Sequence, residues 1–169
     1  MSEIDFLIEK FNLALHPEGG YFKESYRSTE KIEQRALPKN YQGDRNHSTC
    51  IYFLLTSNTF SAFHKINQDE IWHFYAGSPL KLYIISDSGK YSEHIIGNNF
   101  SAGQVPQFVV PGGHWFAAKT IDANGYSFVG CTVAPGFDFA DFVLPERMTL
   151  IEKFPQHEAV ITMLTAPQT

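Results

Sequence analysis

The stretch that decides the fold is Ala62-Phe63-His64-Lys65-Ile66-Asn67-Gln68-Asp69-Glu70-Ile71-Trp72-His73-Phe74-Tyr75-Ala76-Gly77. Aromatic and β-branched residues sit on both sides of a polar Asn-Gln-Asp triplet. Such side chains suit a pleated, half-buried surface, and short polar residues reverse the chain. The stretch therefore reads as two strands, Phe60–Ile66 and Glu70–Ala76, joined by a short turn. His64 lies near the end of the first strand and Glu70 opens the second, which brings an imidazole and a carboxyl within reach of one another. Glu is rarely buried without a partner, so Glu70 between Asp69 and Ile71-Trp72 is a candidate functional group. Alternate residues of a strand face opposite ways, so His73 is expected to point away from Glu70.

The same pattern of short strands between turns continues on both sides. Strands are expected at Tyr21–Arg27, Ser48–Thr56, Leu80–Ser86, Tyr91–Ile96, Gln107–Val110, His114–Lys119 and Tyr126–Val133, with a last one at Phe139–Leu144. Asp87-Ser88-Gly89-Lys90 and Asp122-Ala123-Asn124-Gly125 read as hairpin turns. About ten strands at this spacing indicate a sandwich or barrel. Before them, Ile4, Leu7, Ile8, Phe11 and Leu15 fall on one helical face, with Ser2 and Asp5 as a capping pair. His16-Pro17-Glu18-Gly19-Gly20 ends that helix, because Pro restricts the residue before it and glycine propagates a helix poorly. Residues 30–46 read as a long mobile loop, a candidate lid. Residues 145–165 return to helical spacing and are expected to cover the outside of a barrel spanning residues 20–144. The whole chain, residues 1–169, is expected to be one domain.

Composition narrows the function classes. Of 169 residues, 15% are aromatic and only 18% are charged, which excludes disorder. The net charge of −5, with no cluster of Lys and Arg, argues against a nucleic-acid groove. No apolar run has the length of a membrane span and the first residues lack a signal-peptide pattern, so no membrane partner and a cytoplasmic location are expected. The two cysteines, Cys50 and Cys131, lie in apolar runs without zinc spacing and are expected to be unpaired.

Glu70 and Gly77 have the spacing of the first motif of the cupin superfamily, and Pro111-Gly112-Gly113 resembles the start of the second. Four blocks narrow the likeness: His16-Pro17-Glu18-Gly19-Gly20-Tyr21-Phe22, Ser48-Thr49-Cys50-Ile51-Tyr52-Phe53-Leu54-Leu55, Asp69-Glu70-Ile71-Trp72-His73 and Ala134-Pro135-Gly136-Phe137-Asp138-Phe139. Together they resemble cupin family five, a domain of unknown function. The resemblance implies an all-β jelly-roll barrel of the RmlC-like type, a pocket inside it, and a homodimer. A typical cupin metal site takes three histidines and a Glu. Here His64 and Glu70 match, but Ala62 and Ile66 leave no His-x-His, and Phe116 stands where the second motif has its histidine. His73 and His114 are the only substitutes in the vicinity. No metal or other cofactor is therefore expected.

Gly19-Gly20-Tyr21-Phe22-Lys23-Glu24 is also similar to a strand of the dTDP-sugar 3,5-epimerases, metal-free cupins in which a histidine abstracts a proton beside a keto group. The resemblance places His64 at that position. The leading expectation is a cupin binding a small polar or sugar-like ligand, with metal-independent isomerase or epimerase chemistry. His64 would be the base, oriented by Glu70. Tyr26, Arg27 and Gln107 would contact the ligand, with Trp72 and Trp115 lining the pocket. A non-catalytic binding module and a metal-dependent oxygenase are the alternatives.

Overall fold

The computed structural model describes residues 2–166. Ser2 caps helix α1 (Glu3–Phe11): its hydroxyl accepts from the Asp5 amide, and the Asp5 carboxylate accepts from the Ser2 amide. Twelve strands follow: β1 (Ala14–Leu15), β2 (Tyr21–Arg27), β3 (Lys31–Ile32), β4 (Arg45–Asn46), β5 (Thr49–Thr56), β6 (Ser61–His64), β7 (Glu70–Gly77), β8 (Leu80–Ile85), β9 (Tyr91–Ile96), β10 (Gln107–Val110), β11 (Trp115–Thr120) and β12 (Tyr126–Val133). Helices α2 (Arg147–Lys153) and α3 (Glu158–Met163) end the described chain.

Two antiparallel sheets form an all-β jelly-roll barrel. One has the order β1-β2-β5-β12-β7-β10 and the other β6-β11-β8-β9. Their inner faces enclose a core that includes Phe53, Leu55, Trp72, Leu82, Phe116 and Val129. Period-2 alternation then demands cover for the apolar residues on the outside. Leu7 and Leu13 cover Leu54 and Phe128 on the six-stranded sheet. On the four-stranded sheet, Leu150, Phe154, Ile161 and Leu164 cover Phe63, Ile85 and Trp115.

Four sequence expectations are corrected. Phe139–Leu144 is not a strand: Phe139–Asp141 forms a 3₁₀ turn, and only Val143 bridges to Lys65. The turn is set by the Asp138 side chain, which accepts from the Ala140 amide. Residues 30–46 are not an unanchored loop. They form the β3–β4 ribbon and a 3₁₀ turn at Gln34–Ala36. Arg45 from this ribbon is buried and makes two 2.7 Å hydrogen bonds to Asp141. The first helix ends at Phe11 and not at His16: Asn12 takes the left-handed conformation, and Leu15, 72% exposed, pairs with Tyr21 in β1. Finally, β2 does not alternate regularly. Its register against β5 shifts between Glu24 and Tyr26, so that Glu24 faces Ile51 and Arg27 faces Thr49. The bulge turns Arg27 to the same side as Phe22 and Glu24.

Candidate functional site

The barrel core does not fill one end. Along β5, Phe53 and Leu55 pack in the core while Thr49 and Ile51 line a cavity; along β12, Val129 packs and Cys131 and Val133 line it. The cavity is about 280 Å³. Its polar lining comes from His16, Glu18, His64 and Glu70 inside, with Glu24, Arg27 and Asp138 also contributing. Phe137, Phe139 and Phe142, from the segment after β12, add aromatic lining.

The partner of His64 is Glu18, not Glu70. His64 Nε2 lies 3.0 Å from Glu18 Oε2, and His64 Nδ1 lies 2.7 Å from the Ala62 carbonyl oxygen. A carbonyl only accepts, so Nδ1 carries a proton and donates it. In the neutral ring Nε2 is then an acceptor, and the donor facing it is the protonated Glu18 carboxyl. Burial acts on both groups in the direction this requires. It lowers the His64 pKa to about 3 and, with the nearby Glu70 charge, raises Glu18 well above the ordinary carboxylate range. Ser61 Oγ completes the arrangement by donating to Glu18 Oε1 at 2.8 Å.

The backbone explains how Glu18 gets there. Gly19 and Gly20 both have positive φ, at 108° and 76°. A β-carbon on Gly19 would collide with the Phe60 carbonyl oxygen, so only glycine lets the strap pass this close to the sheet. The Glu18 carbonyl accepts from the Ala62 amide at 2.8 Å, which fastens the strap to β6. A register shift in the β6–β11 pairing puts Phe116 opposite His64 and Ala118 opposite Ser61. This irregularity brings Ser61 and His64, three residues apart, onto one carboxyl.

Glu70 faces the same cavity and is 8% exposed. The neighbouring Cys131 thiol favours the charged form, but burial dominates and raises the pKa to about 7. Burial and the Glu70 charge together push the Cys131 thiol well above its ordinary value. Burial also lowers His16 to about 4, and His16 Nδ1 accepts from the Glu18 amide at 3.2 Å. Arg27 donates four hydrogen bonds to three partners: both Glu24 carboxylate oxygens at 2.9 and 2.8 Å, Asn46 Oδ1 at 2.8 Å, and the Phe137 carbonyl at 3.1 Å.

Of the seven residues singled out in the sequence, His64, Glu70 and Arg27 line the cavity, and four do not. Tyr26 is turned outward by the β2 bulge and is 56% exposed. Trp72 shares the inner face with Glu70 but lies deeper, packed edge-on against Phe53 and Phe116. Gln107 is exposed on β10, opposite His73. Trp115 lies outside the barrel beneath the C-terminal helices, with Lys65 Nζ 4.8 Å from its ring centroid. Sequence reasoning missed His16 and Glu18. Pro17, Gly19 and Gly20 drew attention as helix breakers, whereas the usable signal was an acidic residue held inside that tight turn.

The donor set does not fit the metal centre of typical cupins. Both ring nitrogens of His64 are engaged by Ala62 and Glu18. Phe116, at the position of the missing histidine, packs its ring 4.1 Å from that of His64. His73 instead meets Thr132 on the far face of the sheet, and His114 sits in the turn before β11. Neither lines the cavity, and no group of three or more His, Cys, Asp or Glu side chains among the described residues is arranged to hold a metal ion.

Residues 5–145 match the family described as Cupin superfamily (DUF985). The chain belongs to this family. The cupin is 34% identical over 150 residues to the uncharacterized protein YML079W of Saccharomyces cerevisiae, covering 83% of this chain and 74% of the yeast protein. It is 38% identical to protein SO0799 from Shewanella oneidensis, whose structure superposes with a TM-score of 0.89 over 99% of this chain and 100% of that one. Oxalate decarboxylase from Bacillus subtilis shares the fold alone: 12% identity and a TM-score of 0.54, over 92% of this chain and 40% of that one.

Proposed function

We propose that this cupin binds a small polar molecule at the open end of its barrel and moves a proton on it. Glu70 would be the exchanging group. The observation that carries this reading is a carboxyl that lines the cavity and is more than nine-tenths buried, and burial raises its pKa to about 7. A general acid–base works best when its pKa lies near the working pH. His64 does not suit the role of base, because its Nε2 lone pair is directed at Glu18. The Glu18–His64 pair would instead form a rigid, neutral wall opposite Glu70. The aromatic lining would exclude water and strengthen any charge interaction inside.

Isomerisation or epimerisation of a small molecule is the reaction class that these groups support. The cavity does not favour a sugar nucleotide. A diphosphate needs free cationic donors, and the one Arg at the cavity is already engaged by Glu24, Asn46 and the Phe137 carbonyl. The test starts with native mass spectrometry of the purified protein, to identify a molecule retained in the barrel. That molecule is then incubated with the protein in deuterated water. Deuterium entering a C–H bond with wild type, and at least about 100-fold more slowly with Glu70→Gln, is the expected result for a general acid–base. Binding without exchange in either protein would leave a binding module and remove the isomerase reading.

A further inference from the structure

The three phenylalanines at the cavity form a corner. Phe137 and Phe139 have ring centroids 5.0 Å apart at 81°, Phe139 and Phe142 5.7 Å apart at 80°, and Phe137 and Phe142 6.2 Å apart at 72°. All three rings are thus close to mutually perpendicular, and all three line the cavity. The His16 ring stacks beside Phe139 at 6.3 Å and 27°. Facing the same space is Glu70, more than nine-tenths buried, with the Cys131 thiol as its neighbour.

The charge balance points the same way. Three carboxyl groups, Glu70, Glu24 and Asp138, line the cavity in addition to Glu18, and Arg27 is the only Lys or Arg there. Arg27 is neutralised by its two-point contact with Glu24. An anionic ligand would therefore meet uncompensated negative charge and no unengaged cation. A cation would meet aromatic faces, whose quadrupoles attract positive charge, and a carboxylate lacking a counter-ion.

We propose that the ligand of this cavity is a small organic cation, an amine or quaternary ammonium compound, held between the Phe137–Phe139–Phe142 corner and the Glu70 carboxylate. The assignment rests on the barrel-binding reading above and adds the chemical class. It also carries a pH signature. Glu70 is faced by Glu18 and His16 of the strap, His64 of β6 and Cys131 of β12, while Glu24 and Arg27 of β2 and Asp138 also line the cavity. Glu18 and Cys131 are held protonated and both histidines neutral, so Glu70 is the inner group that changes charge near neutrality. Below pH 7 a bound cation has to displace the Glu70 proton, and affinity falls.

The test uses three probes of nearly one shape: choline, its neutral carbon isostere 3,3-dimethylbutan-1-ol, and the anion 3,3-dimethylbutanoate. Each is titrated calorimetrically, and methyl NMR shifts of Ile51 and Val133 report entry into the cavity. At pH 8 choline is expected to bind at least about 10-fold more tightly than the alcohol, the equivalent of one good cation–π contact with a carboxylate behind it. That ratio should shrink as pH falls below 7. Glu70→Gln should bring it towards one, and Phe139→Leu should weaken choline more than the alcohol, with unchanged far-ultraviolet spectra confirming that both variants fold. If the alcohol or the anion binds as tightly as choline, the cation assignment fails while the barrel-binding reading stands. If no probe moves the Ile51 and Val133 signals at millimolar concentration, the cation assignment fails too. The barrel-binding reading is then judged separately, by whether native mass spectrometry finds a retained molecule.

Discussion

At the scale of single residues, the buried acids and histidines govern what the cavity does. Glu18 acts as a donor to His64 and an acceptor from Ser61, and both roles survive in an amide. Glu18→Gln is expected to change stability by less than about 1 kcal/mol, whereas Glu18→Ala strands two buried groups and should cost about 1–3 kcal/mol. Urea unfolding of both variants checks this. In the same samples, ¹⁵N-detected NMR should show His64 as the Nδ1–H tautomer, with no titration between pH 5 and 8. Glu70 has the opposite sign from an ordinary surface acid. Folding raises its pKa from 4.5 to about 7, so within that window the folded chain keeps a proton that the unfolded chain has lost. Its contribution to stability therefore falls as pH rises through the window. Glu70→Gln removes that penalty. Relative to wild type it should gain nothing near pH 4 and up to about 3 kcal/mol at pH 8. Denaturation midpoints at pH 4, 6 and 8 test the trend, and a variant less stable than wild type at pH 8 would refute it.

At the scale of elements, the segment carrying the aromatic corner is held from below. Asp141 lies between Phe139 and Phe142 and is 3% exposed. It accepts two hydrogen bonds from Arg45, one from Asn67 at 3.1 Å and one from Gln68 at 2.8 Å. The ribbon β3–β4 and the β6–β7 turn thus converge on one carboxylate, which sets the aromatic rings over the cavity. Removing one partner of a buried pair leaves the other charge uncompensated. Asp141→Ala is expected to cost about 3–5 kcal/mol and to accelerate amide hydrogen exchange across residues 137–142. Replacing the ion pair, Arg45→Met with Asp141→Leu, should recover only part of that loss, because Asn67 and Gln68 still lose their acceptor, while leaving the faster exchange in the segment. Loss of protection elsewhere than at residues 137–142 would assign the pair a general structural role instead.

At the scale of the whole molecule, the six-stranded sheet ends in β10, an edge strand on which Val109 is 44% exposed. On the neighbouring strand, Tyr75 is also 44% exposed. Open edges with apolar side chains are normally paired or covered. We propose a two-fold dimer in which a partner extends or covers this sheet. Light scattering at micromolar concentration should give twice the chain mass, and Val109→Lys should shift the population towards monomer. A wild-type chain that is monomeric throughout would end the proposal. Among the described residues no helix is long and apolar enough to cross a membrane.

The strand pattern, the capped first helix and the amphipathic C-terminal segment were legible because each is a local matter of side-chain period and capping chemistry. β2, β9, β10 and β12 begin and end where alternation and turn residues place them. His64 and Glu70 were legible as well, since buried polar residues at strand ends stand out against an apolar background. What the sequence alone did not determine is which groups meet. Arg27 reaches the cavity and Tyr26 leaves it because of one extra residue in β2, and strict alternation assigns both to the wrong faces. Trp115 lies outside the barrel because its face of β11 is covered by helices more than 30 residues later in the chain. The His64–Glu18 contact closes a loop of 46 residues and depends on a glycine strap packed against a carbonyl. Side-chain period is written into neighbouring residues. Bulges, strand register and the partner of a buried charge are settled only when distant segments compete for the same space, and that competition is what tertiary structure resolves.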